Sequence, residues 1–259
     1  MPLTAAKPER KIRQAEEGIR VKLAVFDLDQ TLVDVLPVHN ETMCRIFQRF
    51  FRVDARFTEV DYTGRSLAEN MLALVNLKGI SVDTARDRLK DMLDAYDSIF
   101  AEVMPGDGRK YILPGVIALL EGLRKADAVL VLYTGDSRAV AESICRAAAL
   151  TGYFRESFYG TEVAARADMV RQAIEWAESE TGRKFRGKDT VITGDSLRDI
   201  ECGKRFKAVT IAVATGSHTA SELKAAQPDF LFADLADTEK VLKAVLGRKR
   251  AISRPGRTA

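Results

Sequence analysis

The chain has 259 residues, 46% of them hydrophobic, which is ample for one large domain or for a core carrying a smaller insert. Cys44, Cys145 and Cys202 are odd in number, far apart and without C-x-x-C spacing, so they point to neither a disulfide framework nor a zinc site and fit a reducing compartment. The net charge of +3 is uneven: residues 1–20 carry five basic and three acidic groups, residues 248–259 carry five basic and none acidic, and residues 21–247 stand at −4. The basic balance therefore belongs to the two ends, a polar N-terminal extension over 1–20 and a basic C-terminal tail over 248–259, and a nucleic-acid face on the globular part is not expected. No apolar run approaches a membrane span, and the charged start KPERKIRQAEEGIR lacks the apolar core of a signal peptide. The expected location is the cytoplasm, with no membrane partner.

In chain order, the extension reads as a frayed helix leading into a strand over Val21–Phe26, apolar on both faces. Residues 34–110 have a different texture. Apolar residues recur at helical spacing in Ile46, Phe47, Phe50 and Phe51, then in Leu67, Met71, Leu74 and Val75, then in Leu89, Met92, Leu93, Tyr96, Ile99 and Phe100, which predicts a small helical bundle closed by the turn-rich MPGDGRK. From Leu113 onward helices and strands alternate: a helix in LPGVIALLEGLRK, a buried strand over Ala128–Thr134, a helix over Arg138–Leu150 and a short strand near Phe158–Gly160. A helix over Ala167–Thr181, the strand DTVIT, a helix near Leu197–Phe206 and the strand VTIAVAT follow. A short helix after Thr219, a weak strand over Asp229–Phe232 and a helix over Thr238–Leu246 end the series. Connections too long for hairpins make a parallel, doubly wound sheet the economical architecture, with 21–33 and 111–247 as an α/β core interrupted by the helical insert at 34–110.

The first strand ends in Asp27 and Asp29, acids that a buried strand interior does not tolerate. Side chains two apart on an extended chain point the same way, and ligands of open parallel sheets sit beyond the carboxyl ends of the strands, so both acids should share one crevice. In TGDSLRD, Asp195 and Asp199 are four apart at the opening of a helix after another strand, on one side of its first turn and facing the same crevice. Four carboxylates in one crevice repel, and such a cluster is tolerable with protons or a cation among them; all-oxygen ligation selects Mg2+. The tetrapeptide TGDS also occurs at Thr134–Ser137, but Val140 stands where the second copy has its further acid, so Asp136 reads as a helix cap and not as a metal ligand.

The run FDLDQTL, Phe26–Leu32, resembles the D-x-D-x-T signature of the haloacid dehalogenase-like hydrolase superfamily, and LPGV, GDSLRDIECGK and VATGSHTASEL are similar to its phosphoglycolate phosphatase-like members. The resemblance spans about Lys22 to Leu246. It implies a Rossmann-like α/β core with an inserted α-helical C1 cap at 34–110, and an Mg2+-dependent phosphatase acting on a small-molecule phosphate monoester, phosphoglycolate-like or a sugar phosphate. Asp27 would be the nucleophile that forms an aspartyl-phosphate and Asp29 the general acid and base. Asp27, the backbone carbonyl of Asp29, Asp195 and Asp199 would hold the metal. Thr134 and Gly135 match the second signature and would bind the phosphoryl group. In the cap, YTGRS resembles the loop that dips toward the active site, and Arg65 is the candidate contact for a substrate anion.

The chain departs at the third signature, where the family places a lysine. Phe158–Val170 contains none, Lys184 and Lys188 fall at the wrong end of the sheet, and Arg166 is the nearest cation in register. An arginine neutralises the same charge and binds phosphate through two parallel bonds. The alternatives are a phosphomutase of the β-phosphoglucomutase type, which uses the same core, and a non-enzymatic binding protein that uses its basic tails.

Overall fold

The computed structural model describes residues 21–161 and 165–247. The polar extension over 1–20 and the basic tail over 248–259 lie outside the described residues.

Six parallel strands form one sheet in the order β3-β2-β1-β4-β5-β6. They are β1 (Leu23–Phe26), β2 (Val129–Thr134), β3 (Glu156–Tyr159), β4 (Thr190–Gly194), β5 (Val209–Val213) and β6 (Phe230–Phe232). The order runs outward in both directions from β1, so the chain reverses beside the strand that carries Asp27, and a crevice opens at that switch point. The register places the strand ends together: Phe26 lies across from Leu132 on one side and from Thr193 on the other.

Three α-helices follow β1 within residues 34–110: α1 (Leu36–Phe51), α2 (Leu67–Leu77) and α3 (Val82–Val103). They form the helical insert. Each starts where the residues supply a cap or a fixed turn: Pro37 in the first turn of α1, a capping box between Ser66 and Glu69 for α2, and Ser81 accepting from the Thr84 N–H for α3. The remaining helices cover the sheet: α4 (Val116–Lys125), α5 (Arg138–Ala147), α6 (Arg166–Thr181), α7 (Leu197–Arg205), α8 (Ala220–Ala225) and α9 (Thr238–Leu246).

The two faces of β1 feed two cores. Leu23 and Val25 pack with Val129, Val131 and Tyr133 under Met169, Val170 and Ala173 of α6. Ala24 and Phe26 belong to a larger cluster that continues through Leu28 and Leu32 into Met43, Phe47, Met71, Met92 and Tyr96 of the insert. One continuous apolar body therefore joins insert and sheet, and the strand-turn that carries the acids lies between them.

Some ends differ from the expected bounds. The first strand begins at Leu23 and not Val21, β5 stops at Val213, and α5 stops at Ala147 because Ala149 turns left-handed at φ 56°.

Candidate active site

Asp27 stands just beyond β1, with its N–H donating to the Thr193 carbonyl at 3.0 Å, so the strand pairing itself aims its carboxylate into the crevice. Arg166, at the first turn of α6, reaches the same point from the other side. Its Nη2 lies 2.5 Å from Asp27 Oδ1 and 2.8 Å from Asp199 Oδ1, its Nε lies 3.0 Å from Asp199 Oδ1, and its guanidinium stacks 4.5 Å from the Tyr133 ring centroid. With 9% of its side chain exposed, this arginine is an interior cation.

One carboxylate oxygen from each of Asp27, Asp195 and Asp199 lies within 4.8 Å of the other two. Asp195 Oδ2 is buried with no hydrogen-bond partner, while Oδ1 accepts from the Thr31 hydroxyl at 3.3 Å. A buried carboxylate oxygen without a donor, on a side chain grouped with two other carboxylates, fits a hard cation, and the all-oxygen donor set matches Mg2+. Both Asp199 oxygens are already bonded: Oδ1 takes Arg166 and, at 2.5 Å, the Tyr133 hydroxyl, while Oδ2 takes the Ser196 N–H and hydroxyl in the capping box of α7. Asp199 thus braces Arg166 and the turn that presents Asp195.

Electrostatics separate the acids. Burial pushes Asp27 up to about 7, with the Arg166 charge pulling it back. Asp195 is driven well above the usual carboxylate range by burial and by the charge on Asp27. Burial also opposes ionisation of Asp199, but Arg166 and the Ser196 and Tyr133 bonds outweigh it and hold its carboxyl below that range.

Asp29 points elsewhere. Its Oδ1 is 3.3 Å from His39 Nε2 in α1, whose Nδ1 is 2.7 Å from the Tyr96 hydroxyl in α3, and Asp136 Oδ2 lies 3.9 Å from the same imidazole nitrogen. Burial pushes Asp29 up to about 7, only partly offset by the neighbouring Asp136 carboxyl, and Asp136 is itself driven well above the ordinary range by burial and by the charge on Asp29. Asp136 is therefore not the helix cap the sequence implied. Ser137, one residue on, accepts the Val140 N–H and caps α5, because its short hydroxyl reaches the first turn while the Asp136 side chain turns inward to the acid cluster.

Thr134 ends β2, and it and the following Gly135 line the central cavity with Asp27, Asp29, Arg166 and Asp195. The cap loop closes directly upon them. The Leu67 N–H donates to the Gly135 carbonyl, a Cβ on Gly135 would sit 2.3 Å from the Arg65 carbonyl oxygen, and Thr63 meets Ser217 of the core hydroxyl to hydroxyl. Arg65 lines the cavity, with Nη2 3.3 Å from Asp61 and a buried Nε that has no hydrogen-bond partner. The cavity between cap loop and sheet has a volume of about 60 Å³ and remains open to solvent on one side. Every residue expected at the site lines this cavity except Asp199, which lies behind Arg166.

Sequence reasoning missed His39, Tyr96 and Tyr133. His39 is one of only two histidines and falls on the apolar face of a predicted helix, a pattern that ordinary core packing explains equally well. The tyrosines carried no polar signature at all.

A family model described as haloacid dehalogenase-like hydrolase matches residues 21–207. Similar proteins include the probable phosphatase IndB of Dickeya dadantii, 25% identical over 228 residues that cover 86% of this chain and 94% of that one. The phosphoglycolate phosphatase of Vibrio parahaemolyticus is 23% identical over 225 residues, covering 86% and 96%. Among solved structures, β-phosphoglucomutase of Clostridium difficile shares the fold with a TM-score of 0.72 at 12% identity, over 87% of this chain and 97% of that one. No helix among the described residues is long and apolar enough to cross a membrane.

Proposed function

The chain belongs to the haloacid dehalogenase-like hydrolase family, and from that membership we propose that it is a phosphatase that hydrolyses a small-molecule phosphate monoester through an aspartyl-phosphate on Asp27. The observation that carries the proposal is the convergence of Arg166, Asp27 and Asp195 at the end of the central strand, a buried cation against a buried pair of acids with one oxygen left free. The names of the curated relatives, a probable phosphatase and a phosphoglycolate phosphatase, support the same chemistry.

Asp27 and Asp195 are the side chains that would hold Mg2+, with Thr31 steadying both. When bound, Mg2+ offsets the negative charge of the phosphoryl oxygens and of Asp27. Arg166 fixes Asp27 Oδ1 and favours its ionised form, which the nucleophile requires. In the first step an Asp27 oxygen bonds to phosphorus, the bond from phosphorus to the ester oxygen breaks, and the departing alkoxide takes the Asp29 proton. In the second, the Asp29 carboxylate removes a proton from water as the water oxygen bonds to phosphorus, and the bond to Asp27 breaks to release phosphate. An Asp29 pushed up to about 7 exchanges protons near neutrality, as both steps need. His39 orients that carboxyl from the cap, so the proton donor is positioned only while the insert covers the crevice.

Thr134 and the Gly135 backbone, which line the cavity beside Asp27, would meet the phosphoryl oxygens, and Arg65 would meet an anionic group on the rest of the substrate. A small cavity partly covered by the cap loop favours a compact ester over a phosphorylated protein. The test is a panel of small phosphate esters scored for free phosphate with and without Mg2+, run beside Asp27→Asn. Stoichiometric phosphate release that needs Mg2+ and vanishes in the variant is expected. Appreciable turnover by a folded Asp27→Asn protein sinks the covalent route, and conversion of a sugar phosphate to its isomer without phosphate release would make the protein a mutase.

A further inference from the structure

We propose that Asp29, His39 and Asp136 form a second metal site, distinct in its donors from the all-oxygen cluster, that takes a borderline divalent ion of the zinc type. One ligand atom from each residue lies within 4.8 Å of the other two, and all three side chains line the central cavity, so an ion reaches them without unfolding. An ion bonded at about 2.0–2.1 Å spaces tetrahedral ligands about 3.3–3.4 Å apart. His39 Nε2 and Asp29 Oδ1 already stand at 3.3 Å, and Asp136 Oδ2, at 3.9 Å from the same nitrogen, has a few tenths of an ångström to close.

Two independent features point to a ligand. Asp136 is 8% exposed, its Oδ2 is buried without a hydrogen-bond donor to satisfy it, and it faces the other two side chains. The imidazole is also held in place as a ligating histidine is: Nδ1 pairs with the Tyr96 hydroxyl at 2.7 Å, and Nε2 is the ring nitrogen that faces the two carboxyls. Phe57 and Phe100 wall the ring, at centroid distances of 5.4 and 4.9 Å, and hold it in that pose. An imidazole nitrogen beside two carboxylate oxygens suits zinc-type ions and is a poor match to Mg2+, which asks for oxygen. The fourth position faces the cavity and is left to water or to an oxygen of the ligand.

Such an ion would withhold the Asp29 carboxyl from proton transfer, so it would inhibit. That consequence rests on the hydrolytic function proposed above, whereas the binding does not. Full-length protein is stripped with a chelator, brought to excess Mg2+ to fill the all-oxygen cluster, and titrated with Co2+ by visible absorption and with Zn2+ by calorimetry.

One equivalent of Co2+ with an imidazole-type spectrum is expected, displaced by Zn2+. Asp136→Asn, close to isosteric, should weaken it by more than about 10-fold. His39→Gln should remove it, and both His218→Ala, which changes the only other histidine, and Asp195→Asn should leave it in place. Circular dichroism confirms that each variant is folded, and Asp136→Asn decides the matter if His39→Gln is not. Absence of the cobalt spectrum in the parent protein overturns the proposal, because a shared proton then satisfies Asp136. So does a spectrum that survives Asp136→Asn at full affinity or disappears in Asp195→Asn, since the ion then sits elsewhere.

Discussion

Arg166 bridges Asp27 and Asp199, with Nη2 2.5 Å from the first carboxylate and 2.8 Å from the second. Removing it leaves two buried acids facing each other with no counter-charge. Arg166→Ala is expected to lower kcat for phosphate release by about 10²–10³, the usual cost of deleting a preorganised charge donor, and to destabilise the fold by about 3–5 kcal/mol as a broken buried ion pair does. Arg166→Lys restores the charge without the fork, so it should recover most of the stability and only part of kcat. Steady-state kinetics and urea unfolding measure the two effects separately. Equal kcat in parent and Arg166→Ala would remove Arg166 from the chemistry.

Gly135 is the floor on which the cap loop rests. The backbone there has no need of a left-handed conformation, so alanine is tolerated by the strand end itself, yet its methyl would sit 2.3 Å from the Arg65 carbonyl. The loop must lift. Gly135→Ala is expected to cut kcat/KM by more than about 10-fold through misplaced closure while shifting the melting temperature little, because the sheet beneath is untouched. Unchanged kcat/KM would mean that the closed loop is not the working state.

The order of elements and their α/β alternation were legible because helical and strand periods are local properties of the chain, and acids at the ends of buried strands stand out against apolar runs. Arg166 was legible only through the resemblance, as the nearest cation where the family places its third-signature lysine. The contact of His39 with Asp29 and Asp136 was not. It forms only when the insert folds back on the sheet, and no periodicity in α1 distinguishes a histidine aimed at a carboxylate from one filling space beside Phe57 and Phe100. Asp136 failed for a related reason: Asp and Ser are equally good caps, they are adjacent, and only the inward pull of the acid cluster decides which of them takes the helix end. The repeat of TGDS did separate Asp136 from the Asp27 and Asp195 cluster, but it held no information on where the side chain goes instead.

Tyr133 is fully buried and donates its hydroxyl to Asp199 at 2.5 Å while its ring supports the Arg166 guanidinium. Tyr133→Phe keeps the ring and removes one charge-assisted bond to a buried carboxylate. A loss of about 1.5–3 kcal/mol in denaturant unfolding is expected. Activity should fall by less than in Arg166→Ala, since the guanidinium retains both acids. A variant as stable as the parent would show that water or Ser196 replaces the phenol.

Stability of the metal-free protein should depend on pH in an unusual direction. Asp27 and Asp29 are both pushed up to about 7 from an ordinary value of 3.8, and burial drives Asp195 and Asp136 well above that ordinary value too, so the folded state binds protons that the unfolded chain has already lost. A raised folded-state pKa gives stability that is fully present below the unfolded value and is lost as pH climbs through the folded one. Asp199, held below its ordinary range, and His39, lowered by burial, work the other way, but they are two buried groups against four. Chelator-treated protein should therefore melt at a higher temperature near pH 5 than near pH 8, the reverse of a protein whose carboxylates are salt-bridged. Added Mg2+ replaces the missing protons, so it should raise the melting temperature strongly at pH 8 and weakly at pH 5. Thermal melts at both pH values, with chelator and with Mg2+, check the sign; a metal-free protein that grows more stable from pH 5 to pH 8 would show that the acid cluster is ionised and relieved by some other means.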